Sequence, residues 1–337
     1  MTGSYLRSAL PLAACAALAL LGLGCGAAFD DIKITPEPKD WTIHWSQSFS
    51  PTDEDEDGLP DEGEDWLAEK FAPELRLPPA DIDWTRPANV DWYLPYVHMR
   101  FDHPNCPDHE VLPIGAVTQD SLSRQTHARS EGVGLCSHTT EVVSSATSEK
   151  GFFLQPPDDA IHAGSSNPAD WRAYVHVKAS TRIPGGVDIQ YWFFFPYNDW
   201  TASVNHEADW EHVTIVATGD GTLKGAWYAT HNGGEWHEPE DLILTSDGRP
   251  VVFIADGSHA SYPKVGEFSH GPGLTDRTYD GGPIWRTVEN WVNVGERDAI
   301  RNGQFFLRYG GRWGEVGQTD FTSGPQGPAF QDAWDAL

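Results

Sequence analysis

The chain has few basic side chains for its size. It carries 22 Lys and Arg against 50 Asp and Glu in 337 residues, which gives a formal net charge of −28. A nucleic-acid-binding protein presents a basic surface, and a polybasic membrane arm needs clustered Lys and Arg, so neither class of partner is expected. The acidic excess instead favours a soluble surface and the binding of cations.

Long apolar runs are also scarce. The run over residues 9–23 is shorter than the roughly 20 residues that a membrane-spanning helix needs. With Arg7 before it and small residues after it, the run indicates a secretory signal peptide over residues 1–24. The small residue before Cys25 is typical of a bacterial lipoprotein signal, so we expect export and lipidation at Cys25, as an outer-membrane lipoprotein that meets the membrane through this anchor only. The alternative is ordinary cleavage near Ala27 and a secreted product.

Cysteine is equally rare, with four in the chain. Cys15 falls in the signal peptide, and Cys25 is the lipidation candidate. Cys106 and Cys136 are an even pair in an exported chain, which favours a disulfide bond that stabilises the fold by roughly 3 kcal/mol. The rival use is metal ligation, which is disfavoured because neither cysteine has a partner at C-x-x-C spacing.

Aromatic residues, in contrast, are abundant, and the second half of the chain has strand patterns. The 15 Trp, 15 Phe and 10 Tyr indicate a folded chain. Four segments are short, rich in β-branched or aromatic residues and bounded by turn residues, and these predict strands: Val187–Phe195, His212–Thr218, Leu223–His231 and Pro250–Asp256. The turn at residues 219–221 predicts a hairpin. We therefore predict a mainly β fold, a β-sandwich with long loops and a few short helices, as a single domain over residues 65–337.

The N-terminal half is less regular. Residues 25–50 predict a linker that leads into a short strand at Trp41–Trp45, and residues 102–170 predict long loops because they are rich in His, Ser, Gly and Pro. A helix is expected over Glu64–Phe71, where Pro73 ends it.

An acidic segment over residues 51–64 fits the twelve-residue calcium-loop pattern D-x-D-x-D-G-x5-E. Hard cations prefer oxygen ligands, and the spacing supplies them at positions 1, 3, 5, 9 and 12, which are Asp53, Asp55, Asp57, Asp61 and Glu64. Gly58 at position 6 permits the sharp turn. No helix is expected before the loop, so it resembles the single loops of secreted calcium-binding repeats. The alternative is a solvated acidic linker.

A second acidic cluster is expected around the segment Asp209-Trp210-Glu211. If this segment is a strand, alternation puts Asp209 and Glu211 on one face, where two carboxylates repel each other unless a cation or a proton lies between them. His206 and Asp199 in the preceding loop can complete a metal site that suits Ca²⁺ or Mg²⁺. The alternative is a polar strand end with solvated carboxylates.

Several blocks of the sequence resemble the vacuolar protein sorting-associated protein 62 family, in the same order. The most diagnostic is Asp209-Trp210-Glu211-His212-Val213, and others include Leu67-Ala68-Glu69-Lys70-Phe71, Pro250-Val251-Val252-Phe253 and Gly257-Ser258-His259-Ala260-Ser261-Tyr262. The resemblance covers about residues 65–330. It implies a fold more than a function, because the activity of that family is poorly defined.

The segment Asn205–Glu211 is also similar to the heptapeptide G-H-R-H-D-W-E of the necrosis-inducing cytolysins. Those secreted β-sandwich proteins bind a divalent cation and then membrane glycolipids, and the resemblance implies the ligands His206, Asp209, Glu211 and an upstream Asp199. Ala208 replaces the second His of the heptapeptide, so the ligand types are retained but toxicity does not follow.

These patterns support three functional hypotheses. The first is an exported binding protein that uses its cation to engage a surface glycan or lipid headgroup. The second is a metal-dependent hydrolase that uses the same cluster, with His259 as the candidate catalytic base, although His259 can equally bond a carbonyl in a tight turn. The third is a cytolysin-like membrane-active protein. The sequence has no H-E-x-x-H, G-x-S-x-G, P-loop or dinucleotide motif, so the question of catalysis stays open.

Overall fold

The computed structural model describes residues 40–103, 106–124, 126–127, 141–142, 151–157, 159–201, 204–231 and 233–336. The predicted signal peptide, Cys25 and Cys136 lie outside the described residues, and so does the side chain of Cys106. The lipid anchor and the disulfide bond therefore stay predictions.

The helices of the described residues are short: α1 (Asp61–Phe71), α2 (Val90–Tyr93) and α3 (Gln119–Arg124). Helix α1 begins three residues earlier than predicted, because Pro60 takes the N-cap position and the acidic first turn stabilises the positive end of the helix dipole. It ends at Phe71, as the following Pro73 predicted. Across the described part of the chain, no helix is both long enough and apolar enough to span a membrane.

Strands make up most of the regular structure of the described residues. They are β1 (Glu74–Arg76), β2 (His98–His103), β3 (Cys106–Leu112), β4 (Thr126–His127), β5 (Glu141–Val142), β6 (Phe152–Gln155), β7 (Ala173–Ala179), β8 (Gly186–Asn198), β9 (His206–Thr218), β10 (Leu223–Thr230), β11 (Gly233–His237), β12 (Val251–Ile254), β13 (Ser261–Tyr262), β14 (Gly266–Gly271), β15 (Leu274–Thr278), β16 (Ile284–Arg286) and β17 (Trp291–Asn293).

The central sheet has six strands in the order β11-β10-β9-β8-β7-β17. Its two longest strands, β8 and β9, pair antiparallel along almost their whole length, and the predicted hairpin at residues 219–221 joins β9 to β10. Strand β9 begins at His206, six residues earlier than predicted. The polar start of β9 is still a strand because Asn198 and Tyr197 of β8 pair with it.

Both faces of the central sheet are buried, which explains the uninterrupted aromatic run of β8. Tyr191, Phe193 and Phe195 point to one side, where they pack with α1 and strands β1, β12 and β16 of a second, four-stranded sheet. Trp192 and Phe194 point to the other side, into an aromatic layer. Because successive strand residues face opposite sides, a strand covered on both faces carries no polar alternation. The mainly β, sandwich-like fold with a few short helices is confirmed.

Two regional predictions were wrong. Trp41–Trp45 forms no strand; Ile43 and Trp45 instead pack on the core from a loop, and the Ser46 N–H donates to the Gly219 carbonyl. Residues 102–170 are not all loop, because β3, α3 and β6 lie there, and β6 pairs with β2 with Phe152 and Phe153 buried.

Candidate functional site

The acidic segment is folded into the protein rather than solvated. Asp55 is only 3% exposed and Glu64 is fully buried. Gly58 adopts a φ of +91°, the left-handed conformation that the predicted turn requires. Helix α1 begins at Asp61, which places Glu64 in its first turn. The solvated-linker alternative therefore does not describe this segment.

Burial and charge repulsion act together on the carboxylates of this loop. Burial and the neighbouring Asp57 raise the pKa of Asp55 to about 7. Burial and the charges of Asp55 and Asp57 raise the pKa of Glu64 to about 9. Such shifts mean that the charged forms lack sufficient positive charge nearby.

Asp209 and Glu211 lie on one face of the central sheet, as alternation predicted. Asp209 pairs with Phe195, and Glu211 pairs with Phe193. Both acidic side chains therefore leave β9 on the face that packs against the four-stranded sheet. Trp210 between them points into the aromatic layer on the opposite face.

The Asp209 carboxylate is held by two donors. His259 Nδ1 lies 2.9 Å from Asp209 Oδ2, and Asn198 Nδ2 donates to the same oxygen at 3.2 Å. On its other side, His259 Nε2 lies 2.7 Å from Thr85 Oγ1, and the ring stacks on Phe195 at 3.9 Å. Because His259 is 1% exposed and both ring nitrogens are engaged, the geometry makes it a positioning residue for Asp209.

The other two predicted ligands have local partners. Asp199 accepts hydrogen bonds from Trp84 Nε1 and from Asn205 Nδ2, each at 2.8 Å. His206 Nδ1 donates to the Ala208 carbonyl at 2.7 Å.

The structure does not gather the four predicted ligands into one tight group. Among the described residues, the His, Asp and Glu groups whose ligand atoms lie within 4.8 Å of one another do not include this set. The cation site at Asp199, His206, Asp209 and Glu211 therefore stays a prediction.

The sequence reasoning missed Asp276, a fully buried carboxylate on β15. It accepts hydrogen bonds from Ser258 Oγ at 2.8 Å and from Tyr262 OH at 2.6 Å, and His231 Nε2 lies at 3.0 Å. Burial would raise the pKa of Asp276, but these hydrogen bonds and the His231 charge lower it. His270 Nε2 is a further neighbour at 3.2 Å, so two imidazoles and one carboxylate converge there. No local motif marks Asp276, because its partners lie far away in the sequence.

Glu211 differs from the other carboxylates of this region. Burial raises its pKa well above the ordinary value, and the charges of Asp209 and Asp276 raise it further. Within the described residues, no hydrogen bond offsets this repulsion. A cation next to Glu211 would stabilise its charged form.

A cleft of about 910 Å³ lies along β9 and β10, and Glu211 is among its lining residues. The pairing of β9 with β10 ends at Val213 and Tyr228. Both strands continue beyond these residues. The lining is mainly polar with one broad aromatic face, and it includes Arg182, Glu211, His212, Trp227, His231, Arg312, Asp320, Gln326, Gln331 and Asp332. Arg182 lies over the Trp227 ring at 5.1 Å.

Together, these features define a β-sandwich protein with a buried acidic cluster beside a polar cleft. Residues 126–276 match the model of the family described as vacuolar protein sorting-associated protein 62, which confirms the resemblance seen in the sequence blocks. The matched segment contains Asp209, Glu211, His259 and Asp276.

Two curated relatives come from Saccharomyces cerevisiae. Vacuolar protein sorting-associated protein 62 is 28% identical over 196 residues, which covers 44% of this chain and 41% of that protein. Putative vacuolar protein sorting-associated protein TDA6 is 27% identical over 198 residues, with coverages of 44% and 42%. The chain therefore spans less than half the length of these relatives.

Two solved structures are similar to this chain at low TM-scores. One, described as a toxin fold as basis for microbial attack and plant defense, has a TM-score of 0.37 and 12% identity, and the match covers 84% of this chain and 90% of that one. A second, NLPPya in complex with glucosamine, has a TM-score of 0.36 and 12% identity, with coverages of 84% and 89%.

Proposed function

We propose that this chain is an exported binding protein that engages a surface glycan or lipid headgroup with the help of a divalent cation, Ca²⁺ or Mg²⁺. The observation that supports this most is the position of Glu211. It is a neighbour of Asp209 and Asp276 in the acidic cluster, and it also lines the cleft. A cation at Glu211 would be reachable from the cleft, so that ligand oxygens can complete its coordination shell.

The lining of the cleft favours a glycan. Its volume lies in the range of small-molecule sites, and its polar side chains outnumber its apolar ones. Trp227 offers an aromatic face, while Arg182, Arg312 and Gln326 supply hydrogen-bond donors for hydroxyl groups.

We expect Glu211→Gln to remove one bound cation per chain and to abolish the chelator-sensitive part of glycan binding. Glutamine keeps the shape of the side chain but loses the charge that a hard cation requires. Metal content is measured by mass spectrometry on purified protein, and binding on a glycan array with and without EDTA.

The matched control is Glu235→Gln, the same change at an exposed side chain on β11 outside the cleft. It should leave both readouts unchanged. Equal metal content and equal glycan binding in wild type and Glu211→Gln would refute the proposal. Binding to headgroup vesicles but to no glycan would replace the glycan with a lipid ligand.

Export and anchoring are part of the same proposal. In a bacterial host that processes lipoproteins, we expect metabolic labelling with a fatty acid to mark the wild type and not Cys25→Ala. A soluble secreted product that has lost Cys25 would show ordinary cleavage instead.

A further inference from the structure

We propose that the loop Asp53–Glu64 holds a structural calcium ion that fixes this loop and α1 to the central sheet. This site is independent of Glu211 and of the cleft.

Four carboxylate oxygens of the loop are buried and have no hydrogen-bond partner among the described residues: Asp53 Oδ1, Asp55 Oδ1, Asp57 Oδ2 and Glu64 Oε1. They belong to positions 1, 3, 5 and 12 of the calcium-loop pattern. An unpaired buried carboxylate oxygen is costly, and four in one loop point to a cation site. The ligand atoms of Asp53, Asp55 and Asp57 lie within 4.8 Å of one another, and Asp55 has the same relation to Asp61 and Glu64.

In three of these carboxylates, the second oxygen accepts a hydrogen bond, which fixes the direction of the unpaired oxygen. Gly58 N–H donates to Asp53 Oδ2 at 3.1 Å, and Leu59 N–H donates to Asp57 Oδ1 at 2.7 Å. Glu64 Oε2 accepts hydrogen bonds from Arg301 Nη1 and Asn293 Nδ2. Each of these three carboxylates is therefore oriented by the fold and keeps one oxygen for the ion.

Arg301 forms ion pairs with carboxylates on one side of the loop. Its Nη1 lies 2.7 Å from Glu64 Oε2, its Nε lies 3.3 Å from Asp61 Oδ1, and its Nη2 lies 3.3 Å from Asp65 Oδ2. Within the described residues, its ion pairs do not include Asp53, Asp55 or Asp57. These three carboxylates need a second positive charge.

Glu64 connects the proposed ion to the sheet. Its Oε2 accepts from Arg301 and, at 2.9 Å, from Asn293 Nδ2 at the end of β17. Glu64 therefore has only Oε1 for the metal and ligates through one oxygen, whereas the corresponding Glu of an EF-hand uses two. With one oxygen fewer, we expect a dissociation constant of about 10⁻⁴–10⁻³ M, the range of extracellular calcium modules.

The test compares thermal unfolding of the purified full chain in excess CaCl₂ and in EGTA. For the wild type we expect a higher melting temperature in calcium, because an ion that binds only the folded state stabilises it by mass action. In calcium, Asp55→Asn should have a lower melting temperature than wild type, because a ligand is lost. In EGTA it should have a higher melting temperature than wild type, because charge repulsion is relieved.

Glu56→Gln is the matched control, since Glu56 is an exposed acidic residue at position 4 of the same loop. It should keep the full calcium shift. A direct calcium titration of Glu211→Gln by calorimetry, in which the cation site of the cleft is removed, covers the case in which Asp55→Asn does not fold. The absence of both binding heat in Glu211→Gln and a calcium-dependent melting temperature in the wild type would overturn the proposal, and so would Glu56→Gln behaving like Asp55→Asn.

Discussion

Replacing Arg301 with Met is expected to lower the free energy of unfolding by about 3–5 kcal/mol, because it leaves buried carboxylates without their cation. Arg301 is 6% exposed, and its guanidinium group pairs with Asp61, Glu64 and Asp65. Met fills most of the same volume, so the loss reports on charge rather than on a cavity. Urea unfolding in calcium buffer, followed by Trp fluorescence, gives the free energy.

The matched control is Arg297→Met, four residues earlier. Arg297 is about half exposed, and its ion pair with Asp298 spans 3.9 Å. Such a surface pair contributes about 0–1 kcal/mol, so the control should stay close to wild type. An equal loss in both variants would mean that the buried charge network adds nothing at position 301.

Replacing Trp210 with Ala is expected to lower the free energy of unfolding by about 3–5 kcal/mol, the usual cost of emptying a large aromatic site in a core. Trp210 is 3% exposed. Its ring lies 5.0 Å from that of Phe194, 5.2 Å from that of Trp313 and 5.6 Å from that of Phe306. Few of these neighbours can move to fill the space, because they are buried themselves. The same urea titration measures the loss.

Two further variants identify the cause of this loss. Trp210→Phe keeps most of the packing, and Trp210 Nε1 has no hydrogen-bond partner in the described part of the chain. We therefore expect a cost below about 1.5 kcal/mol. Trp41→Ala removes a Trp that is 48% exposed and should change stability by no more than about 0.5 kcal/mol. A loss at position 210 no larger than at position 41 would contradict the packing argument.

Local patterns predicted a substantial part of the candidate sites. Alternation along β9 predicted that Asp209 and Glu211 share a face, and the strand geometry confirms it. Spacing predicted the calcium loop residues, of which Asp55 and Glu64 are the most deeply buried. Both predictions concern neighbours in sequence, whose relative directions follow from backbone geometry alone.

Boundaries were predicted less well. Strand β9 begins at His206 because β8 pairs with it, and Trp41–Trp45 forms no strand because its side chains are used for packing from a loop. Strand propensity describes how a side chain suits a pleated, half-buried surface, so it cannot tell whether a partner strand is present.

The sequence by itself determined the β class of the fold, the common face of the two carboxylates and the spacing of the carboxylates in the acidic loop. Each of these depends on spacings of a few residues, which the repeat of a strand or the turn of a loop converts directly into geometry. The tertiary structure alone decided which residues that are distant in the sequence lie next to these carboxylates. Asp276 and His259 reach the Glu211 region, and Arg301 reaches Glu64, from more than 45 residues away in the chain. No local rule encodes such a contact, because long-range pairs form only when separate elements pack together.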